Sequence, residues 1–423
     1  MPHISTSPSP KWAKPRRAHG ERAIWIFFVV QLLALTVFQK IGLPTEGIAV
    51  SISIPLLWTG LLILVLQGLA QIDVLRLFLF SLFVLLSMLG HIMIASFSVS
   101  SLALIAAIYI PMFFTIQIRE ELYLKGLRFF VNLALLMVPI IFLQWGLQYL
   151  IHPGLWFNVE TLVPSSLLVP GYFYQRFVSF GSAWIKPNGI FFLETSILSQ
   201  ILALAIAVEL VCFRDIRKAL VLTVGLISTT AGTGVLLLAL CSPLLLRYLS
   251  ARILVVSLVV GVLGTFYFLI NGIPLAFDRL SELSSQTESG YYRFVAPYLI
   301  LSEIFDQGNG LWYGAGAGNA PKSLVLMPPF AKLIYEYGLL ASVSFYAYLI
   351  VSMFRGAYSF TISLAVFIFY NLLGGGLAVP FYGIAVIVLT AIFRVTHHNE
   401  DARLNDQSRA AGSSEAPRPG RVT

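Results

Sequence analysis

The chain has 423 residues, of which 58% are apolar and 11% are charged. Soluble domains carry about 25% charged residues, so this composition excludes an ordinary soluble enzyme. Apolar runs near 20 residues, the length that crosses a bilayer as a helix, recur along the chain. We therefore predict an all-α polytopic membrane protein, in which the net charge of +8 reports membrane orientation and no nucleic-acid partner.

The sequence predicts one transmembrane domain over 21–396 between two polar, disordered tails, 1–20 and 397–423. The first apolar run, from Ile24 to Phe38, lacks a small-residue cleavage signal and is predicted to stay as a span. The predicted spans, in chain order, are 24–38, 48–67, 74–95, 97–117, 129–150, 189–212, 219–231, 233–249, 252–270, 332–353, 358–374 and 376–394.

The segment 219–249 could form one long helix or two short ones, broken at Ser228–Gly234 (STTAGTG). Two short helices keep Arg247, Arg252 and Arg355 on the side that holds the other basic loops, whereas one long helix moves them across. Because cytoplasmic loops are enriched in Lys and Arg, we predict two helices. The result is about 12 spans, both termini cytoplasmic and a location in the bacterial inner membrane.

Two predicted connections are long, about 151–188 and about 271–331, and both face the periplasm. Long loops in compact proteins are usually functional. Within the second loop, Ser289–Phe305 is aromatic and apolar enough to lie as a helix at the outer interface. We therefore expect the chemistry of this protein on its outer face.

The stretch GLWYGAGAGNAP, residues 310–321, contains Gly314, Gly316 and Gly318 at alternate positions. It matches neither a Walker loop nor a dinucleotide fingerprint, since Asn319 stands where a third fingerprint glycine would be. Two interpretations remain. The stretch is either a flexible turn before a span, or a nest of backbone amides that approaches a diphosphate.

Three basic and two acidic side chains mark the edges of the outer loops. The first loop carries Arg176 and Lys186, and Glu194 follows near the outer end of a span. In the second loop Arg293 follows two tyrosines, and Glu336 opens a later span. The structural alternatives are an interfacial anchor for Arg176, a hydrogen bond between helices for Glu194 and a helix-end interaction for Glu336.

These residue types suit glycosyl transfer from a diphosphate carrier. An arginine can hold a diphosphate through two hydrogen bonds and stabilise it as a leaving group. A carboxylate can take the proton of an attacking sugar hydroxyl. The sequence shows no His/Cys ligand spacing, so we expect neither a metal nor another cofactor.

Three motifs, in this order, resemble those of bacterial exopolysaccharide polymerases in the O-antigen polymerase/O-antigen ligase superfamily. They are NGIFFLETSILSQ (188–200), STTAGTGV, and RFVAPYLILSEI followed by GAGAGNAP and PPFAKLIYEYGLLASVSFY. The resemblance implies that Arg176 and Arg293 engage the diphosphate of a lipid-linked saccharide. With it we expect a substrate-binding set of Lys186, Asn188, Tyr291, Tyr292, Gly314, Gly316, Gly318, Lys332 and Tyr335.

The chain departs from the family pattern at three places. Thr195 replaces the usual proline, the basic residue before Asn188 is displaced to Lys186, and Pro328-Pro329-Phe330 lacks the histidine that ligases usually carry. The missing histidine favours a polymerase and leaves Glu194 and Glu336 both open as the base.

The expected activity is polymerisation of undecaprenyl-diphosphate-linked repeat units at the periplasmic face. Its expected partners are that lipid-linked saccharide, membrane lipid, and a chain-length regulator or export protein. The alternatives are a ligase that transfers finished glycan to an acceptor and, in another class, a flippase or transporter of lipid-linked saccharide.

Overall fold

The computed structural model describes residues 13–43, 50–93, 98–155, 159–169, 172, 174–178, 182–249, 291, 294–305, 310–321, 327–374 and 377–396. Some predictions lie outside these residues. They are the site residues Tyr292 and Arg293, the predicted span 252–270 and the predicted tail 397–423.

The first half of the described chain alternates helices with short strands. In chain order these are α1 (Ala13–Thr36), β1 (Gly42–Leu43), β2 (Val50–Ser51), α2 (Ser53–Leu66), β3 (Ala70–Ile72), α3 (Val74–Met93), α4 (Val99–Tyr109), β4 (Phe114–Arg119) and α5 (Glu120–Leu150).

The second half is also helical, and three of its helices end in a π-helical turn. The elements are α6 (Thr195–Val208, then the turn Glu209–Phe213), α7 (Ile216–Ser228), α8 (Gly232–Leu245), α9 (Ala296–Phe305), α10 (Gly310–Tyr313), α11 (Pro329–Phe354), α12 (Phe360–Ile368, then Phe369–Gly374), α13 (Pro380–Val386, then Ile387–Ala391) and β5 (Phe393–Thr396).

The predominantly helical fold is confirmed. Four of the described helices are long and apolar enough to cross a membrane: Val74–Met93, Glu120–Leu150, Thr195–Phe213 and Pro329–Phe354. Shorter apolar helices overlap most of the other predicted spans, and the segment 219–249 forms two separate helices, α7 and α8. The count of about 12 spans stays a prediction.

Helix boundaries differ from the predicted spans where the backbone forces a change. The span predicted over 97–117 ends its α-helix at Tyr109, because Pro111 in the following 3-10 turn cannot continue the hydrogen-bond ladder. The span predicted from 189 begins only at Thr195. Helix α1 begins at Ala13, inside the segment predicted as a tail.

The strands were not predicted, because segments of two to six residues between helices are too short to show an alternating pattern. Strands β3, β4 and β5 form one sheet in that order, β3–β4 antiparallel and β4–β5 parallel. This sheet joins the ends of α2, α4 and α13 to the starts of α3 and α5. We call this end of the bundle the sheet end and the opposite one the loop end.

Basic residues are unevenly divided between the two ends. The loop end carries Lys40, Arg176, Lys186 and Lys332, whereas the sheet end carries Arg76, Arg119, Arg128, Arg214, Arg217, Lys218, Arg247, Arg355 and Arg394. In the predicted order of spans, every residue of the second group lies on the cytoplasmic side, where the positive-inside rule expects basic residues.

Helix α6 lies inside the bundle. Of its apolar window, 78% is buried, against 28% for α3, and it packs against α5, α7, α8 and α12. A helix that is apolar all round is stable only when protein or lipid surrounds it. The first turn of α6 is therefore enclosed by its neighbours, and any polar group there must find partners from them.

Helix α11 breaks at Gly338, where φ is 76° and ψ is 174°. A Cβ at this position would lie 2.2 Å from the carbonyl oxygen of Trp312, in α10. Only glycine permits both the left-handed φ and this approach of two backbones. The break thus allows the segment after α10 to pack directly against α11.

We predict that Gly338→Ala lowers the free energy of unfolding by about 2–4 kcal/mol, because the added Cβ is strained and displaces α10. Thermal melting of the full chain in detergent measures the loss. The matched control is Gly146→Ala on α5, where a Cβ meets nothing within 4 Å and the higher helix propensity of alanine is expected to leave stability unchanged or raised. Equal melting temperatures for the two variants would contradict the packing described.

Candidate active site at the loop end

The loop end brings both predicted carboxylates to the same side of the bundle. Helix α11 starts there, since the residue after its last turn, Arg355, lies 3.9 Å from Asp73 at the sheet end. Helix α6 also starts there, because its terminal turn contacts the first turns of α5: Arg128 Nη1 lies 3.4 Å from Glu209 Oε1. Glu194 and Glu336 therefore share the loop end.

A turn between the first long loop and α6 is held by buried amides from α5. The backbone of Ile185 donates to and accepts from Gln148, at 2.8 Å and 2.9 Å. The Gly189 N–H donates to Gln144 Oε1 at 3.0 Å. Each amide side chain satisfies backbone groups that have no place in a helix, which is how irregular backbone survives inside a bundle.

Asn188, predicted to bind substrate, is fully buried in this turn. Its Oδ1 accepts from the Ile190 N–H at 3.0 Å, and its Nδ2 donates to the Tyr174 carbonyl at 3.2 Å. Through these hydrogen bonds, Asn188 connects the first long loop to the turn.

The turn itself is strained. Gly189 and Ile190 both have positive φ, 66° and 69°, and a β-branched residue rarely adopts this conformation. Such strain persists only where the surroundings enforce it, and it concentrates at functional sites. Its consequence is that α6 starts at Thr195 with Glu194 as its N-cap residue.

The Glu194 carboxylate is 5% exposed and has identified partners on both oxygens. Oε1 lies 3.7 Å from Arg176 Nη2, and Oε2 accepts from the Ser196 hydroxyl at 3.1 Å. As the N-cap residue, Glu194 also lies at the positive end of the α6 dipole. Arg176 is 38% exposed, so its guanidinium connects the buried carboxylate with the surface.

The loop brings Lys186 and Tyr172 close to this pair. The Lys186 N–H donates to the Arg176 carbonyl at 2.7 Å, which sets the two cations on paired backbone segments. Burial raises the pKa of the Tyr172 hydroxyl, and the nearby charge of Glu194 raises it further. Tyr172 therefore stays protonated and able to donate a hydrogen bond at neutral pH.

A second ion pair ties the loop to the end of α1. Lys40 Nζ lies 2.7 Å from Glu160 Oε1, with side chains 2% and 11% exposed. The Lys40 carbonyl also accepts from the Val169 N–H at 3.0 Å. Burial lowers the pKa of Lys40, while the contact with Glu160 opposes that shift.

The STTAGTG stretch supplies contacts to α6 that the sequence analysis missed. Thr233 Oγ1 donates to the Ser196 carbonyl at 3.2 Å, and the Gly234 N–H donates to Ser199 Oγ at 3.1 Å. A Cβ at Gly234 would lie 2.2 Å from the Ser199 carbonyl oxygen. The sequence does show a stretch of small residues at a helix break, but a single sequence does not indicate which helix this stretch contacts.

The glycine loop packs against the break in α11. The Ala315 and Gly316 N–H groups donate to the carbonyls of Tyr335 and Glu336, at 2.7 Å and 3.1 Å. Gly314, Gly316 and Gly318 all have positive φ, from 75° to 94°. These two amides therefore satisfy carbonyls freed by the break.

Glu336 is 1% exposed beneath this loop. Its Oε1 lies 3.3 Å from Lys332 Nζ and accepts from the Ala320 N–H at 3.4 Å. Its Oε2 has no hydrogen-bond partner in the described part of the chain, and the same holds for the neighbouring Tyr337 hydroxyl. Among the described residues, Glu336 thus uses only one of its two carboxylate oxygens for hydrogen bonds.

The predicted site residues fall into two groups around different helices. Arg176, Lys186, Asn188 and Glu194 gather at the start of α6. The second group lies at the start of α11 and consists of Gly314, Gly316, Gly318, Lys332, Tyr335, Glu336 and Tyr291. In that group, Tyr291 and Tyr335 pack against a small apolar cluster formed by Ala296, Leu301, Met327, Ala331 and Ile334.

Comparisons with family models, curated proteins and solved structures found no match for this chain. The resemblance to exopolysaccharide polymerases thus depends on the sequence motifs quoted above. Among the residues that the structure describes, no three His, Cys, Asp or Glu side chains group as a metal site would require.

We predict that Lys40→Met destabilises the protein by about 3–5 kcal/mol, because it leaves a buried carboxylate without its lysine. The double variant Lys40→Met/Glu160→Gln should recover most of that loss, since it removes the buried charge as well. Melting temperatures of the two single variants and the double variant provide the measurement. If the loss of stability in the double variant equals the sum of the losses in the two single variants, the Lys40–Glu160 interaction does not stabilise the protein.

Proposed function

We propose that this chain is a polysaccharide polymerase in the bacterial inner membrane. It joins repeat units carried on undecaprenyl diphosphate at the periplasmic face. The observation that carries the proposal is the Arg176–Glu194 pair, a partly exposed guanidinium held against a buried carboxylate where a strained turn enters α6. In this proposal the sheet end, with its excess of arginine and lysine, is cytoplasmic, so the loop end faces the periplasm.

The donor diphosphate binds at the exposed side of Arg176, with Lys186 beside it. A guanidinium suits this role because its paired N–H groups match two phosphate oxygens and stabilise the diphosphate as it leaves. Glu194 orients Arg176, and the Tyr172 hydroxyl adds a neutral donor. Arg293 is proposed as a second diphosphate ligand on the strength of the family resemblance.

Of the two carboxylates, Glu336 is proposed as the base. Both Glu194 oxygens have contacts, whereas Glu336 Oε2 has no hydrogen-bond partner in the described part of the chain. In the reaction, a sugar hydroxyl of the acceptor gives its proton to Glu336, its oxygen bonds to the anomeric carbon, and the bond from that carbon to the diphosphate breaks. Each catalytic cycle transfers one glycosyl group and releases undecaprenyl diphosphate.

A transporter of lipid-linked saccharide is the second candidate, and the break in α11 favours it. Discontinuous helices with polar groups at the break are typical of secondary transporters. The break at Gly338 lies beside the buried Glu336, as a substrate site of that type would require.

Deleting the gene and analysing the lipid-linked saccharides should distinguish these activities. The polymerase predicts that single repeat units accumulate on the periplasmic side. Accumulation of full-length lipid-linked polymer would indicate a ligase, and units trapped on the cytoplasmic side a transporter. Either outcome would contradict the proposal.

Complementation with single variants should then assign the roles. We expect Arg176→Ala and Glu336→Gln to lower polymer yield by about 100-fold or more at wild-type protein levels. Arg217→Ala, an exposed arginine at the sheet end, is the matched control and should restore wild-type yield. If Glu336→Gln retains full activity while Glu194→Gln is inactive, Glu194 is the base instead.

A further inference from the structure

Three arginines and one aspartate lie together at the sheet end, away from the proposed active site. Asp73 Oδ2 lies 3.7 Å from Arg76 Nε, and Asp73 Oδ1 lies 3.9 Å from Arg355 Nη1. Asp73 also interacts electrostatically with Arg394. Three guanidinium groups therefore share one carboxylate.

Arg76 is fully buried and its guanidinium is well supplied with acceptors. Nη1 donates to the carbonyls of Met112 and Ala391 at 2.8 Å and 2.9 Å, and Nη2 donates to Ser352 at 3.0 Å. These carbonyls belong to the ends of three helical segments, which have no partners within their own helices. Arg76 therefore has a structural role, since it connects the ends of these three segments.

Arg394, on β5, differs from Arg76 in this respect. Both of its terminal nitrogens, Nη1 and Nη2, are buried, and neither has a hydrogen-bond partner in the described part of the chain. The guanidinium lies over Gly356, whose φ is 71°, with Cζ 3.7 Å from where a Cβ would stand. Leaving buried charged donors unsatisfied is costly, so an acceptor is expected at this position.

Asp73 is not that acceptor, since neither terminal nitrogen of Arg394 is hydrogen-bonded to it. Its Oδ1 accepts from the N–H groups of Leu75 and Arg76, at 3.1 Å and 3.3 Å, where it caps α3. The cluster keeps an excess of two positive charges. Arg355 is 61% exposed, so the cluster reaches the surface at this side chain.

We propose that Arg394 and Arg355 bind a phosphate group at the sheet end. A phosphate offers oxygens in the geometry that guanidinium groups match, and its charge offsets the excess of two. The group belongs either to the headgroup of an anionic lipid, since the cluster lies where the apolar helices end, or to free phosphate. The site is independent of the proposed polymerase activity.

Binding to the purified full-length chain in neutral detergent tests this proposal. Thermal melting is followed while phosphatidylglycerol, phosphatidylcholine or inorganic phosphate is titrated. We expect phosphatidylglycerol or inorganic phosphate to raise the melting temperature with saturation, and phosphatidylcholine to leave it unchanged. A response to phosphatidylglycerol alone identifies a lipid site, and an equal response to inorganic phosphate identifies a free-phosphate site.

Three variants locate the binding. Arg394→Gln should weaken the apparent affinity at least tenfold, and Arg355→Gln, whose side chain is exposed and safe for folding, should weaken it severalfold. Arg217→Gln, exposed on α7 at the same end, should bind like wild type. Unchanged affinity in both Arg355→Gln and Arg394→Gln would overturn the proposal. An equal loss of affinity in Arg217→Gln would also overturn it, because it would show that phosphate is attracted by the general positive charge of the sheet end.

Discussion

The loop end depends on how α6 begins. The strained turn at Gly189–Ile190 stops the helix from extending to residue 189 and leaves Glu194 as its N-cap. Burial of this carboxylate requires a cation, and Arg176 supplies it. The amides of Gln144 and Gln148 and the hydroxyl of Thr233 then hold the turn from neighbouring helices. The Arg176–Glu194 pair is therefore fixed by backbone geometry and buried polar contacts.

A second backbone constraint operates at the start of α11. The break at Gly338 frees helix carbonyls, and the glycine loop supplies the N–H groups that satisfy them. Because the two backbones touch, no side chain larger than hydrogen fits at Gly314 or Gly338. This arrangement covers Glu336, whose Oε2 has no hydrogen-bond partner among the residues that the structure describes.

Hydropathy and charge predicted the helical fold and the split between α7 and α8, since both depend on local composition. They did not predict where α6 starts, because Ile190 adopts a conformation that neighbouring helices enforce. The strands at the sheet end were missed for a related reason: β4 and β5 are nearly 300 residues apart and pair only once the bundle forms. Arg176 and Glu194 were chosen separately from sequence, and the structure brings them into contact. The buried amides that support that pair carry no signal in a single sequence, and the small-residue stretch that holds Thr233 does not reveal which helix it contacts.

In the proposed activity the chain itself polymerises lipid-linked repeat units without a metal or a nucleotide sugar. Reconstitution tests it most directly: the purified chain in vesicles receives the lipid-diphosphate-linked repeat unit in the presence of a chelator, and products are separated by size. We expect chains of two or more repeat units and released lipid diphosphate, both lost with Arg176→Ala. Repeat units that stay single with the wild-type chain, or that extend only when a divalent metal or a nucleotide sugar is added, would contradict it.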